Sequence, residues 1–140
     1  MPRIWRGYPS RALRLLWAAC VMIVIGGSLL PGNSAPMRAI DSLGVSDKLE
    51  HCAAYAALAF LPCLHERRGT VVLLLLFAAA LGILLEFGQL LSPGRSFDVY
   101  DMLADGAGII GGAAVGLVLR TRSAEGRKRA ASISTRSIFL

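Results

Sequence analysis

Apolar residues run in long blocks along this chain, and polar residues interrupt the blocks at helical spacing. Four segments are apolar enough, and nearly long enough, to cross a bilayer: Ala12–Leu30, Leu49–Leu64, Thr70–Leu91 and Val99–Leu119. A membrane-crossing helix needs roughly 20 residues. The blocks take up more than half of the 140 residues, which leaves too little polar surface to cover a water-soluble core. The pattern predicts an all-α fold: a polytopic membrane protein built as a four-transmembrane-helix bundle with short loops. Residues 1–120 form its membrane domain, and residues 121–140 form a polar, basic tail expected to be disordered and cytoplasmic. The first block, "RALRLLWAACVMIVIGGSLLPGNSA", also resembles a secretory signal peptide with a small-residue exit at Ser34 and Ala35. Its apolar run is long for that role, and a retained helix is expected. The second block is interrupted at its start by Glu50 and His51.

The polar interruptions share helix faces. Residues three and four apart lie on one side of a helix. Asp47, His51 and Tyr55 follow i, i+4, i+8, with Lys48 at the edge of the stripe and Ser46 placed to cap the helix. Glu50 points away from that stripe and is expected at the interface. Gly82, Glu86 and Gln89 share a face of the third helix. Asp98, Asp101 and Asp105 share one on the fourth, followed along it by Gly108, Gly112 and Gly116, where small residues let a neighbouring helix approach closely. An ionised side chain facing lipid costs about 2.5–3.5 kcal/mol on insertion scales, so such groups turn inward and partner one another. A single polar pocket, with Arg95 and Lys48 as its available cations, accounts for all of them. A structural polar network would place the same faces, Asp98 would serve as a helix cap, and Glu86 and Gln89 as glue between helices.

Charge adds orientation. Of the 15 Lys and Arg residues, twelve precede the first block or lie in its first turn, separate the second from the third, or follow the fourth. Only Arg38, Lys48 and Arg95 fall on the other side. Positive residues stay in the cytoplasm, so both termini are expected inside and the polar pocket opens outward. Seven of the nine acids lie at or near that outer side, giving a formal balance of +10 inside and −4 outside within the net +6. The basic character therefore indicates cytoplasmic anchors beside anionic lipid rather than a nucleic-acid partner. Cys20, Cys52 and Cys63 all lie in predicted spans, and no pair has metal-ligand spacing. Asp and Glu oxygens suit Mg²⁺ or Ca²⁺, yet no EF-type loop or His-x-x-x-His spacing supports one, and no metal or cofactor is expected.

"DKLEHCAAYAALAF" and "LEFGQLLSPGRSFDVYDMLADGAGIIGG" together resemble the VanZ-like family of bacterial membrane proteins. The shared pattern is D-K-x-x-H with a Tyr four residues on, E-x-x-Q ending an apolar helix, then a G-R loop, an Asp and a polar-Gly helix. It falls here on Asp47, Lys48, His51, Tyr55, Glu86, Gln89, Arg95, Asp101 and Asp105, within a motif-bearing part at 47–116. Each piece alone is unspecific, but the ordered set on successive helices is fairly specific. Cys52 stands where an aromatic is usual, and Asp105 where Asn is more common, which adds a charge to the pocket. The resemblance implies a small protein of the bacterial cytoplasmic membrane and cell envelope, in a family whose namesake is associated with teicoplanin resistance and has no established reaction.

Three functions remain open. The pocket binds a polar head group of a membrane lipid or envelope precursor. Or the protein is a membrane enzyme acting on such a lipid, with His51 as acid or base, Glu86 or Asp105 as its partner, and Arg95 and Lys48 holding an anion. Or it is an ion or proton pathway, which the lack of ionisable residues in the apolar run of the first block disfavours. Self-association into a homo-oligomer is also open. The topology is directly testable: compartment-sensitive reporters fused after residues 38 and 95 should report outside, and those after 67 and 125 inside. A cytoplasmic signal at 95 would remove the outward-facing pocket.

Overall fold

A computed structural model describes the backbone of residues 10–138 and the side chains of residues 11–126. Five helices account for the regular structure: α1 Ser10–Leu29, α2 Ala35–Asp41, α3 Asp47–His65, α4 Arg68–Gln89 and α5 Val99–Ile138. Among the described residues there is no strand. Three helices contain stretches long and apolar enough to cross a membrane: Arg11–Leu29, Arg68–Gln89 and Val99–Gly126. Their outward sides carry Leu15, Met22, Ile23, Leu73, Leu76, Leu84 and Ile110, all exposed, as a lipid-facing surface requires.

Helix α3 is long enough to be a fourth span, but it falls outside that apolar set. Its position supplies the reason. It packs on α1, α4 and α5, and Tyr55, Leu58, Ala59 and Cys63 are buried. A helix enclosed by three others meets side chains rather than lipid, so its sequence need not be uniformly apolar. Pro62 lies inside it. Proline has no N–H, so the Leu58 carbonyl loses its in-helix donor. Trp17 of α1 supplies one, its indole Nε1–H donating to Leu58 O at 2.9 Å.

The closest packing joins α3 to α5. A side chain at Gly108, Gly112 or Gly116 would run into α3, at the backbone of Cys52, of Ala56, or of Phe60 and the Cys63 Cβ. The three glycines step by four along α5, and Cys52, Ala56 and Phe60 step by four along α3, so the two helices run parallel in a constant register. Helix α1 runs the other way: Arg14 near its start bonds Glu66 just past the end of α3, Nε to Oε1 at 2.6 Å. Arg120 of α5 donates to the Cys63 and Glu66 carbonyls at 3.3 and 2.6 Å, satisfying orphan acceptors at the α3 terminus.

Two features depart from the sequence pattern. Helix α2 occupies part of what reads as a loop; Ser34 precedes it with Pro at its start, a favourable way to begin a helix. The apolar pattern predicts an end near Leu119, whereas α5 continues through the basic segment to Ile138, where Ala, Arg, Glu and Lys are good helix formers. Of the expected cytoplasmic anchors, Arg3, Arg6 and the side chains of Arg127, Lys128, Arg129 and Arg136 lie outside the described residues.

Because Trp17 replaces a donor that Pro62 removed, the two should be energetically coupled. Trp17→Phe should cost about 1–3 kcal/mol by orphaning a buried carbonyl. In a Pro62→Ala background, where the in-helix donor returns, the penalty should shrink by roughly 1 kcal/mol. Denaturant unfolding in detergent micelles measures the cycle, and strictly additive penalties would reject the pairing.

Candidate functional site

Parallel packing of α3 and α5 brings their N-terminal ends together, and the polar stripes meet there. Ser46 caps α3, its hydroxyl accepting the Leu49 N–H at 3.4 Å. The first turn then presents Lys48, whose Nζ bonds Asp98 Oδ2 at 2.8 Å and Asp101 Oδ1 at 3.1 Å. One turn deeper, His51 Nδ1 lies 2.9 Å from Asp105 Oδ1. The partners follow the register that the glycines set below: 48 with 101, 51 with 105, 52 with 108.

Helix α4 completes the group from the antiparallel side. Gly82 permits it, since a side chain there would meet Asp105 Oδ2 at 2.7 Å and the Tyr55 hydroxyl at 3.2 Å. Glu86, one turn on, accepts the Asp98 N–H at 3.1 Å. Asp98 also acts as a cap, its Oδ1 accepting the Tyr100 N–H at 2.8 Å, so the capping and ion-pairing roles coexist. Gln89 is buried at the end of α4, and among the described residues no side-chain hydrogen bond joins it to the group.

Arg95 arrives from a loop. The turn after α4 docks on the turn after α1: Gly32 N–H donates to Pro93 O at 3.1 Å and the Ser92 hydroxyl to Leu29 O at 3.0 Å. Gly94, at φ +76°, takes the left-handed conformation that glycine adopts at no steric cost. Arg95 is thereby turned inward, with Nη1 3.7 Å from Asp47 Oδ1 and Nη2 3.4 Å from both Gly27 O and Met37 Sδ.

Asp47, His51, Tyr55 and Arg95 line a cleft of about 180 Å³ between α1, α2 and α3, whereas Lys48, Glu86, Gln89, Asp98, Asp101 and Asp105 are not part of its lining. Its polar wall is Asp47, Glu50, His51, Tyr55 and Arg95, and its apolar wall is Ile23, Val24, Met37 and Ile40. Glu50, expected away from the stripe, lines the cleft instead, across from Met37 and Ile40 of α2. Its i+3 spacing from Asp47 is the signal that places it there. Met37 carried no such signal, since α2 was not predicted.

Burial leaves several of these groups without partners. Six buried side-chain polar atoms in the described residues have no hydrogen bond, and four of them belong to Glu86 (Oε1), Gln89 (Nε2), Arg95 (Nε) and Asp105 (Oδ2). Native proteins leave few such atoms, and each calls for an explanation. Outside the apolar helix interiors, Asp47 is held above its ordinary value, first by burial and then by the Asp101 carboxylate opposite it. Lys48 holds Asp98 below the carboxylate range, with help from the Tyr100 N–H, and Asp98 and Asp101 raise Lys48 in return.

An all-helical fold, an exposed apolar belt and inward-turned charges at one end define a helical membrane protein. Its family follows from comparison. The VanZ/LLP1 family model matches residues 14–120, and the chain belongs to that family. Searches of curated proteins and of solved structures found no match.

The Lys48 contacts carry a pH signature. Asp98 has a folded pKa depressed by Lys48, so the pair stabilises the fold above the unfolded carboxylate value of about 3.9. That contribution disappears as pH falls through the lower folded value. Lys48→Met should therefore lower the thermal midpoint at pH 7 and match the unmodified protein near pH 2. An equal deficit at both pH values would show that the loss is packing rather than charge.

Proposed function

We propose that this chain is a four-span protein of the bacterial cytoplasmic membrane, with both termini inside, whose outward-facing cleft binds the polar head group of an envelope lipid or lipid-linked precursor. Helix α3 serves as the fourth span, shielded from lipid by α1, α4 and α5. The observation that carries the reading is the cleft's two-sided wall: charged groups from α3 and the Arg95 loop face apolar side chains from α1 and α2. A head group with its acyl chain has that same division. Arg95, whose contacts at 3.4–3.7 Å are long for charge-assisted hydrogen bonds, has donor capacity for an anionic oxygen. Membership of the VanZ/LLP1 family agrees with a link to glycopeptide resistance, which sequestering or shielding an envelope component would produce.

A second reading has its own observation. His51 and Asp105 stand at 2.9 Å, the arrangement in which a carboxylate orients an imidazole for proton transfer. On that reading the protein is a membrane enzyme that modifies the head group it binds.

Mass spectrometry of lipids and metabolites retained by the purified protein separates the two. A ligand present in the unmodified protein and lost from His51→Ala/Glu86→Ala supports binding, and a chemically altered ligand supports the enzyme. In a host that the unmodified protein protects against a glycopeptide, Glu86→Gln should abolish protection at near-normal membrane abundance, and Gln89→Glu should have a milder effect. Full protection by Glu86→Gln would make Glu86 helix glue and remove it from the site, because a neutral amide suffices for interhelical hydrogen bonding.

A further inference from the structure

Three side chains at the mouth of the cleft converge on one point. Asp47, His51 and Asp101 each offer a ligand atom, and the three atoms lie within 4.8 Å of one another. Asp47 and His51 are one turn apart on α3 and face the same way, while Asp101 comes from α5 and is 3% exposed. His51 is aimed from behind: its Nδ1 is engaged by Asp105 Oδ1 at 2.9 Å, which leaves Nε2 directed toward Asp47, 3.9 Å from Oδ1. A metal-binding histidine characteristically gives its second ring nitrogen to a carboxylate in this manner.

A second observation is independent of that geometry. Glu86, 1% exposed, and Asp105, 4% exposed, each hold a buried oxygen with no hydrogen-bond partner; that of Asp105 is Oδ2, beside Gly82 and the Tyr55 hydroxyl, while its Oδ1 engages His51. Six carboxylates, Asp47, Glu50, Glu86, Asp98, Asp101 and Asp105, share Lys48 and Arg95 as the fixed cations among the described residues. Glu86, Asp101 and Asp105 are buried, where unpaired negative charge is expensive, and a divalent cation would offset it at one point.

We infer that Asp47, His51 and Asp101 form a binding site for a divalent transition ion of the zinc class, with Asp105 as the residue that orients His51. The donor set selects the metal class, since imidazole beside carboxylates suits Zn²⁺ or Mn²⁺, whereas Mg²⁺ and Ca²⁺ take oxygen ligands. Ligands about 2.1 Å from a tetrahedral ion stand roughly 3.4 Å apart, so a small inward closure of the three groups completes the shell. Lys48 engages Asp101 through Oδ1, and a carboxylate has a second oxygen for the ion. Three protein ligands leave a fourth position; with Asp47, His51 and Arg95 all lining the cleft, that position is assigned to an anionic oxygen of a head group. The site thus deepens the proposed function and shares its pocket.

The test uses the full chain in detergent, stripped with a chelator, with no lipid added. Zn²⁺ titrated by calorimetry and counted by elemental analysis should bind at one ion per chain and raise the thermal midpoint. His51→Ala and Asp101→Ala should abolish binding. Asp105→Asn should keep the stoichiometry and weaken affinity about 10–100-fold, as outer partners do. Failure of the unmodified, folded protein to bind either Zn²⁺ or Mn²⁺ stoichiometrically overturns the inference, and this outcome does not depend on any variant folding. So does unchanged affinity in a folded His51→Ala, or binding of Mg²⁺ with no response to Zn²⁺. Zinc binding by a protein that retains no head group sustains the cation site and removes the head-group reading. A head group retained by protein that binds no zinc does the reverse.

Discussion

The contact that the rest of the structure depends on is the glycine-lined approach of α5 to α3. Gly108, Gly112 and Gly116 leave no side chain between the helices, so each glycine rests against α3 at Cys52, Ala56, and Phe60 with Cys63. Such proximity permits only one register, because a shift by one residue would push a side chain into the partner's backbone. That register then propagates one turn further to His51 with Asp105 and Lys48 with Asp101. The apolar half of the interface is in this sense the positioning device for the polar half.

The arrangement divides stability from chemistry. Opposite the cleft, the bundle is fastened by Arg14 on Glu66 and by Arg120 on the last carbonyls of α3, with one buried atom there, His65 Nε2, left without a hydrogen bond. At the other end, polar atoms of Glu86, Gln89, Arg95 and Asp105 are buried and unpaired, and of these residues Arg95 lines the cleft. Orphaned polar groups cost free energy that packing elsewhere must offset. Several of them gather at one end, beside a cleft with an apolar wall, whereas a closed polar network would satisfy its own hydrogen bonds. Elsewhere in the bundle the Trp17 bond to Leu58 O closes one such group.

Much of this was legible from spacing. Apolar blocks located α1, α3, α4 and α5 to within a few residues at most boundaries, because helix length and lipid contact both constrain hydropathy. The i, i+4 stripes on α3 and the i, i+3, i+7 stripe on α5 identified residues that do face one another. Helix α2 was not legible, because seven residues give too little periodicity to mark a helix. The misplacement of Glu50 followed directly, since a residue facing no predicted partner reads as solvated. The reach of Arg95 was legible only as an available charge, because a loop residue has no face until Gly94 and the docked turns orient it.

The sequence alone determined an all-helical, membrane-compatible chain, which helix faces are polar, and that the small residues of α5 lie on the same face as its acids. These are local properties, set by hydropathy and by the 3.6-residue helical repeat. Only the tertiary structure decided that α3 occupies the centre, that His51 meets Asp105 rather than Glu86, that Gly82 opens room for Asp105 and Tyr55, and that α2 makes a cleft of what would otherwise be an exposed stripe. Those outcomes depend on which faces meet and in what register, and register is a property of two helices in contact that neither sequence segment carries by itself.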